Sequence, residues 1–268
     1  MTEFSCDTVT LTMHARIRER LAGIERDRGV RVLYAAESGS RAWGMASADS
    51  DYDVRFIYAR PRDWYLCIDP DSKPDTLDEG ITATEDGVLD CSGWDVRKAL
   101  RLLARSNAAL LEWLRSPIVY RSAGSFAQEA EEAASQIVSL TALWHHYRHL
   151  RDGSMERFTQ RQTAKVWLYA LRPQLAMLWI ERRRSMPPVE FSALAGAMLP
   201  PELTAAADAV LSAKKKDKES DEGFVPAPEL AAFLDGECAR SDAAPLMPRG
   251  KGMEMLDGIF RKVLEEAS

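Results

Sequence analysis

Long apolar runs are absent from this 268-residue chain: nowhere do about 18 apolar residues follow one another, the length a bilayer-crossing helix needs, although 46% of the residues are hydrophobic. The opening stretch MTEFSCDTVTLTMHARIRER also lacks the apolar segment and small-residue cleavage site of an export signal. No membrane partner is expected, and the cytoplasm is the expected compartment. Cysteine is scarce and scattered: Cys6, Cys67, Cys91 and Cys238 form no close pair, which argues against a disulfide framework or a thiolate zinc site. Basic charge is not in excess either. Acidic residues number 41 against 35 lysines and arginines, for a net charge of -6, which excludes a chain coated in positive charge and leaves only local basic patches for nucleic acid. His145, His146 and His149 in WHHYRHL lack the glutamate of an HExxH motif, which argues against a zinc site and favours hydrogen bonding or RNA contact.

What the chain does have is enough apolar residue for one large domain or two modest ones. Residues 10–28 place Met13, Ile17, Leu21 and Ile24 at three- and four-residue intervals, the stripe of an amphipathic helix ending near Gly29. VRVLYAA follows as a strand and runs straight into ESGSRAWG, where glycine permits a sharp turn. YDVRFIYA, 52–59, is a second strand; RPRDWYL reads as a loop with a short helix; GVLDCS, 87–92, is a third strand. From Asp95 to Leu114 the spacing of Val96, Leu100, Leu103, Leu110, Leu111 and Leu114 predicts one helix, stopped by Ser116 and Pro117. Beyond that point only long helical patterns appear. The predicted fold is therefore α+β, with residues 1–120 mixed and residues 121–268 helical. SAKKKDKESDEGFVPAP, 212–228, is too polar to pack and is expected to be an exposed loop between two late helices.

The segment YAAESGSRAWGMASADSDYDVRFIY, 34–58, carries the chemistry. Side chains two apart on a strand share a face, so Asp51 and Asp53 converge, and like charges held that close call for a cation between them. Mg²⁺ with oxygen ligands is the usual answer, and such sites commonly take substrate phosphates as further ligands. Upstream, the turn at Gly39 and Ser40 offers backbone N–H groups, a hydroxyl and close backbone approach to an anion. Alone, an Asp-x-Asp is more readily an acidic, solvated loop entering a strand; the phosphate-type turn before it is what points to a site.

Strand, Gly-Ser turn, short helix, then Asp-x-Asp on the next strand resembles the signature of the DNA polymerase beta-type nucleotidyltransferase superfamily. SGSRAWG, DSDYDVRFIY, GWDVRKALRLLARSNAALLEWLRSPIVY and YALRPQLAMLWI, spread over most of residues 31–180, resemble one branch more closely, the YcgL or RlaP type associated with RNA-repair ligases. The resemblance implies an N-terminal nucleotidyltransferase fold, a small mixed sheet flanked by helices, with an all-helical C-terminal domain closing over the nucleotide and acceptor. It implies that Gly39 and Ser40 hold the β- and γ-phosphates of a nucleoside triphosphate, that Asp51 and Asp53 bind two Mg²⁺ ions, and that a third carboxylate late on a neighbouring strand completes the set. Asp90 fits that third position. Asp95 is the rival, although an aspartate opening DVRKAL is also a good helix N-cap.

Further residues follow with less specificity. Arg41 and Arg55 are placed to counter phosphate charge, with Arg55 equally suited to pairing with the carboxylates themselves. Lys98, Lys165 and Arg172 are drawn in as nucleotide-binding by the resemblance, the last two because Lys165, Tyr169 and Arg172 fall along one helix face. Arginines at 182–184 offer a local basic patch. The implied activity is Mg²⁺-dependent transfer of a nucleoside monophosphate to an acceptor hydroxyl with release of pyrophosphate. An RNA end is the first candidate acceptor, and a protein or small molecule the alternative. A non-catalytic nucleotide-binding regulator is the competing class.

Overall fold

The computed structural model describes residues 9–69, 72–85, 87–216, 222–240 and 252–266. These described residues divide into two compact units, each discontinuous in sequence, one drawn from within 1–42, 50–138 and 249–268 and the other from within 43–49 and 139–248. The change from mixed to purely helical sequence near residue 120 falls inside the first unit.

The first unit begins with α1, Leu11–Arg28, capped by the Thr10 hydroxyl and ended by Gly29 in the left-handed conformation. Five strands follow: β1 Arg31–Glu37, β2 Tyr52–Ala59, β3 Thr76–Thr84, β4 Gly87–Asp95 and β5 Val119–Ser122. They make one mixed sheet in the order β3-β4-β2-β1-β5. β2 and β4 run parallel, and every other neighbouring pair is antiparallel. Met13, Ile17, Leu21 and Ile24 of α1 pack on Val32, Val54, Phe56, Tyr58, Leu89 and Cys91 from the central strands. Gly93 in β4 leaves the space that the Phe56 ring fills.

Short helices α2 (Gly39–Ala42) and α3 (Arg62–Tyr65) lie in the connections, and α4 (Val96–Ala104), α5 (Ala108–Leu114) and α6 (Phe126–Ile137) contact the sheet. The single helix expected over 95–114 is broken in two. Ser106 takes a left-handed backbone, φ 59°, and the Asn107 side chain accepts from the Leu110 N–H to start α5 anew. Ser and Asn compete with the helix by bonding the backbone locally, so a Ser-Asn pair prevailed over a continuous apolar stripe.

β3 and β5 have no counterpart in the strands expected from sequence. β3, TLDEGITAT, is an edge strand with a bulge between Asp78 and Ile81. It is pinned from below by Glu79, which receives Arg20 at 3.1 Å and Arg28 at 2.9 Å from α1.

The second unit is helical: α7 Leu140–Gln160, α8 Ala164–Arg183, α9 Phe191–Met198, a 3-10 turn Pro201–Leu203, α10 Thr204–Lys216 and α11 Pro228–Arg240. A last helix, α12 (Met253–Glu266), returns to the first unit. Ser139 and Thr163 cap α7 and α8, Trp144 and Trp167 are fully buried, and the Trp144 indole N–H donates to Glu181 of α8 at 2.9 Å. Of the predicted loop 212–228, residues 212–216 belong to α10, 217–221 lie outside the described residues and 222–227 are irregular. Among the described residues no helix is long and apolar enough to cross a membrane.

Candidate functional site

The candidate site sits where β1 leaves the sheet. Ser38 N–H donates to the Asp53 carbonyl at 2.8 Å, so the chain is still held to β2 one residue past the end of the strand. It then turns at Gly39, whose φ of 62° belongs to the left-handed region that favours glycine. A side chain here would collide with the Asp53 carboxylate. The turn and the carboxylate therefore touch.

Asp53 and Asp90 face each other directly. They are partners in the parallel register of β2 and β4, and the Arg55 guanidinium spans them, with Nη2 3.0 Å from Asp53 Oδ1 and 2.7 Å from Asp90 Oδ2. Arg55 Nη1 also donates to the Asp90 carbonyl at 3.2 Å. Both carboxylates are about 30% exposed or a little less, 30% and 28%. Asp51 stands exposed just ahead of β2, two residues before Asp53.

Among the described residues no three acidic, histidine or cysteine side chains form a ready-made metal cage. The donor set is nonetheless the right kind for Mg²⁺: oxygen only, two carboxylates side by side, already sharing one cation. A divalent ion at this pair would be held by Asp53 and Asp90 in place of the Arg55 bridge.

Asp95 is placed differently from Asp90. It is 2% exposed, its Oδ1 accepts the Arg97 N–H at 2.9 Å as the cap of α4, and its Oδ2 accepts the Tyr65 hydroxyl at 2.8 Å. Burial raises its pKa above the usual carboxylate value, against the pull of the Tyr65 hydrogen bond. Both oxygens are committed to structure.

The structure does not bring every expected residue to this site. Arg41 is 4% exposed; its Nη2 donates to the Ser50 carbonyl at 2.8 Å and its guanidinium lies 4.1 Å from the Tyr52 ring centre. It is buried and braces the loop just ahead of Asp51. Lys98 lies past the other end of β4, where its ammonium donates to Asp75 at 3.0 Å and to the Thr76 hydroxyl at 2.6 Å. Arg172, in the second unit, is 2% exposed, donates to the Val189 carbonyl at 2.9 Å and stacks 4.3 Å from the Trp43 ring centre. A buried cation so engaged is a packing element. Lys165, by contrast, lines a cavity of about 350 Å³ in the second unit together with Arg157, Arg161 and Tyr169.

One residue was not anticipated from the sequence. Glu37, wholly buried at 0% exposure, places Oε1 2.9 Å from the Asp53 N–H, accepts a short hydrogen bond from the Tyr120 hydroxyl and faces Arg41 Nε at 3.9 Å. Burial pushes its pKa up to about 7, against the opposing pull of the Tyr120 and Asp53 hydrogen bonds and Arg41. Its signal in the sequence is an acid within an apolar strand, LYAAESG, where an ionisable side chain is costly unless paired.

A Gly-Ser turn against a carboxylate pair on adjacent strands of a small mixed sheet is the arrangement of a DNA polymerase beta-like nucleotidyltransferase. The chain belongs to the RNA repair pathway DNA polymerase beta family, whose family model matches residues 13–262. It is 40% identical over 212 residues to the uncharacterised protein YcgL of Bacillus subtilis (strain 168), covering 78% of this chain and 79% of that one. A crystal structure of a nucleotidyltransferase-like protein from Exiguobacterium sibiricum 255-15 aligns over 93% of this chain and 80% of its own, at a TM-score of 0.34 and 9% identity. A likeness that low says nothing of this chain's chemistry.

Proposed function

We propose that the protein transfers a nucleoside monophosphate from a nucleoside triphosphate to an acceptor hydroxyl, releasing pyrophosphate, with Mg²⁺ held by Asp51, Asp53 and Asp90 and an RNA end as acceptor. The observation that carries this is the contact between the Gly39 turn and the Asp53 carboxylate, with Asp90 next to Asp53 across the strand register. It joins a place for phosphates to a place for cations.

Within that reading, the backbone of Gly39 and Ser40 and the Ser40 hydroxyl receive the terminal phosphates. Asp53 fixes the triphosphate side of the pair and Asp90 the acceptor side, where it can also accept the proton of the attacking hydroxyl. Bound Mg²⁺ supplies charge neutralisation of the triphosphate and a lowered pKa for the acceptor hydroxyl. Arg55, released from its bridge, has a guanidinium suited to phosphate oxygens. The RNA acceptor rests on family membership and on nothing in the site itself.

The acceptor is tested by offering protein, Mg²⁺ and each α-labelled nucleoside triphosphate RNAs that differ only in their termini, beside protein and small-molecule pools. Label on RNA that depends on a free terminal hydroxyl supports the proposal. Label only on protein or on a small molecule keeps the transferase and removes the RNA acceptor.

A further inference from the structure

Asp53 is held by more than its own strand. Its carbonyl accepts from Ser38 N–H at 2.8 Å, while its N–H, at the point where β1 turns away, is received by Glu37 Oε1 at 2.9 Å. Consecutive residues immediately ahead of the Gly39 turn thus fix both backbone groups of the aspartate. The acid that does this lies at 0% exposure among Tyr120, Arg41 and the Asp53 peptide. Burying an ionisable group there is costly unless each oxygen is satisfied. Oε2 is satisfied by the Tyr120 hydroxyl, and Oε1 by the Asp53 N–H.

We propose that Glu37 is a positioning residue for nucleotidyl transfer: its side-chain oxygen holds the Asp53 peptide in register with the Gly39 turn, and so sets the cation affinity of the Asp53–Asp90 pair. The inference rests on the nucleotidyltransferase reading above. What positions Asp53 is the reach of Glu37 to the peptide, and its charge is secondary. A second-sphere group of this kind typically accounts for about 10- to 100-fold in metal affinity or activity.

Two conservative variants separate reach from charge. Glu37→Gln keeps an oxygen at the same length without the charge; Glu37→Asp keeps the charge but draws it back by one methylene. Binding of Mn²⁺, followed by electron paramagnetic resonance, and steady-state kinetics are measured on both, with Asp53→Ala as control. The expected result is that Glu37→Asp weakens Mn²⁺ binding and lowers kcat by about tenfold or more, with KM for the triphosphate little changed, while Glu37→Gln stays close to the parent protein in both. A Glu37→Gln as impaired as Glu37→Asp, or a Glu37→Asp that binds Mn²⁺ like the parent, overturns the proposal. Turnover that survives in Asp53→Ala overturns instead the assignment of nucleotidyl transfer to the Asp53–Asp90 pair, and the Mn²⁺ data still decide on Glu37.

Discussion

Gly39 has no side chain because the Asp53 carboxylate occupies the place where one would go. The contact couples the turn to the carboxylate, so Gly39→Ala is expected to act on both. The left-handed φ costs about 1 kcal/mol for a residue with a Cβ, which lowers the melting temperature by only about 2–4 °C in a chain of this size. The displaced carboxylate costs far more in turnover, about 100-fold for a misplacement near 1 Å. Thermal melts beside kinetics check this; a variant with parental turnover would show that the contact is incidental.

Arg55 holds two carboxylates that otherwise face each other. Arg55→Ala is therefore expected to lower stability in EDTA by about 1 kcal/mol, scaled to a partly exposed pair. Added Mg²⁺ should recover it, and should stabilise the variant more than the parent, because no guanidinium competes. Melting curves with and without Mg²⁺ read this directly. An equal response in both proteins would contradict it.

Asp90 and Asp95 are expected to separate cleanly. Asp95→Ala removes the cap of α4 and the acceptor of the Tyr65 hydroxyl, at a cost of about 1–3 kcal/mol in stability. Asp90→Ala removes one of two neighbouring like charges together with its partly exposed ion pair to Arg55, two effects that oppose each other, so it should leave stability nearly unchanged and abolish transfer. Denaturant titration and turnover on the same preparations give the two answers.

The strand, turn and aspartates were legible in the sequence because each is local. The helix stripe of Met13, Ile17, Leu21 and Ile24 and the Gly-Ser turn before Asp-x-Asp need no distant partner to be read. β3 was not, since TLDEGITAT alternates poorly and gains its conformation from pairing with β4 and from two arginines of α1. Arg41 and Arg172 read as phosphate ligands because a sequence shows charge and not burial; each is nearly solvent-free and spends its guanidinium on carbonyls and aromatic rings. Glu37 escaped notice because its meaning depends on Tyr120, which follows more than eighty positions later.

Asp95 also gives a pH dependence. Its folded pKa is raised above the ordinary carboxylate value, so the folded state binds its proton more tightly than the unfolded chain does. The stability this contributes is present below the ordinary carboxylate pKa, about 4, and is lost as pH rises through the folded value. Relative to Asp95→Asn, which keeps the cap oxygen and does not titrate, the parent protein should lose stability as pH rises from about 4. Urea midpoints of both proteins across that range test the sign.

Arg172 and Lys165 lie on the same helix and should behave differently. Arg172→Ala leaves the Val189 carbonyl without its donor and strips the cation from Trp43, costing about 2–3 kcal/mol. Lys165→Ala, at a partly exposed position lining a cavity, should stay within about 0.5 kcal/mol of the parent. Chemical denaturation of the two variants decides it.

The central claim is that the Asp53–Asp90 pair beside the Gly39 turn performs nucleotidyl transfer. Its most direct test is pyrophosphate release from each nucleoside triphosphate with Mg²⁺ and pooled RNA, protein and small-molecule acceptors, measured with covalent transfer of the α-label. The account predicts one pyrophosphate per nucleotide transferred, lost in both Asp53→Ala and Asp90→Ala. Tight triphosphate binding with neither pyrophosphate nor labelled product on any acceptor would contradict it.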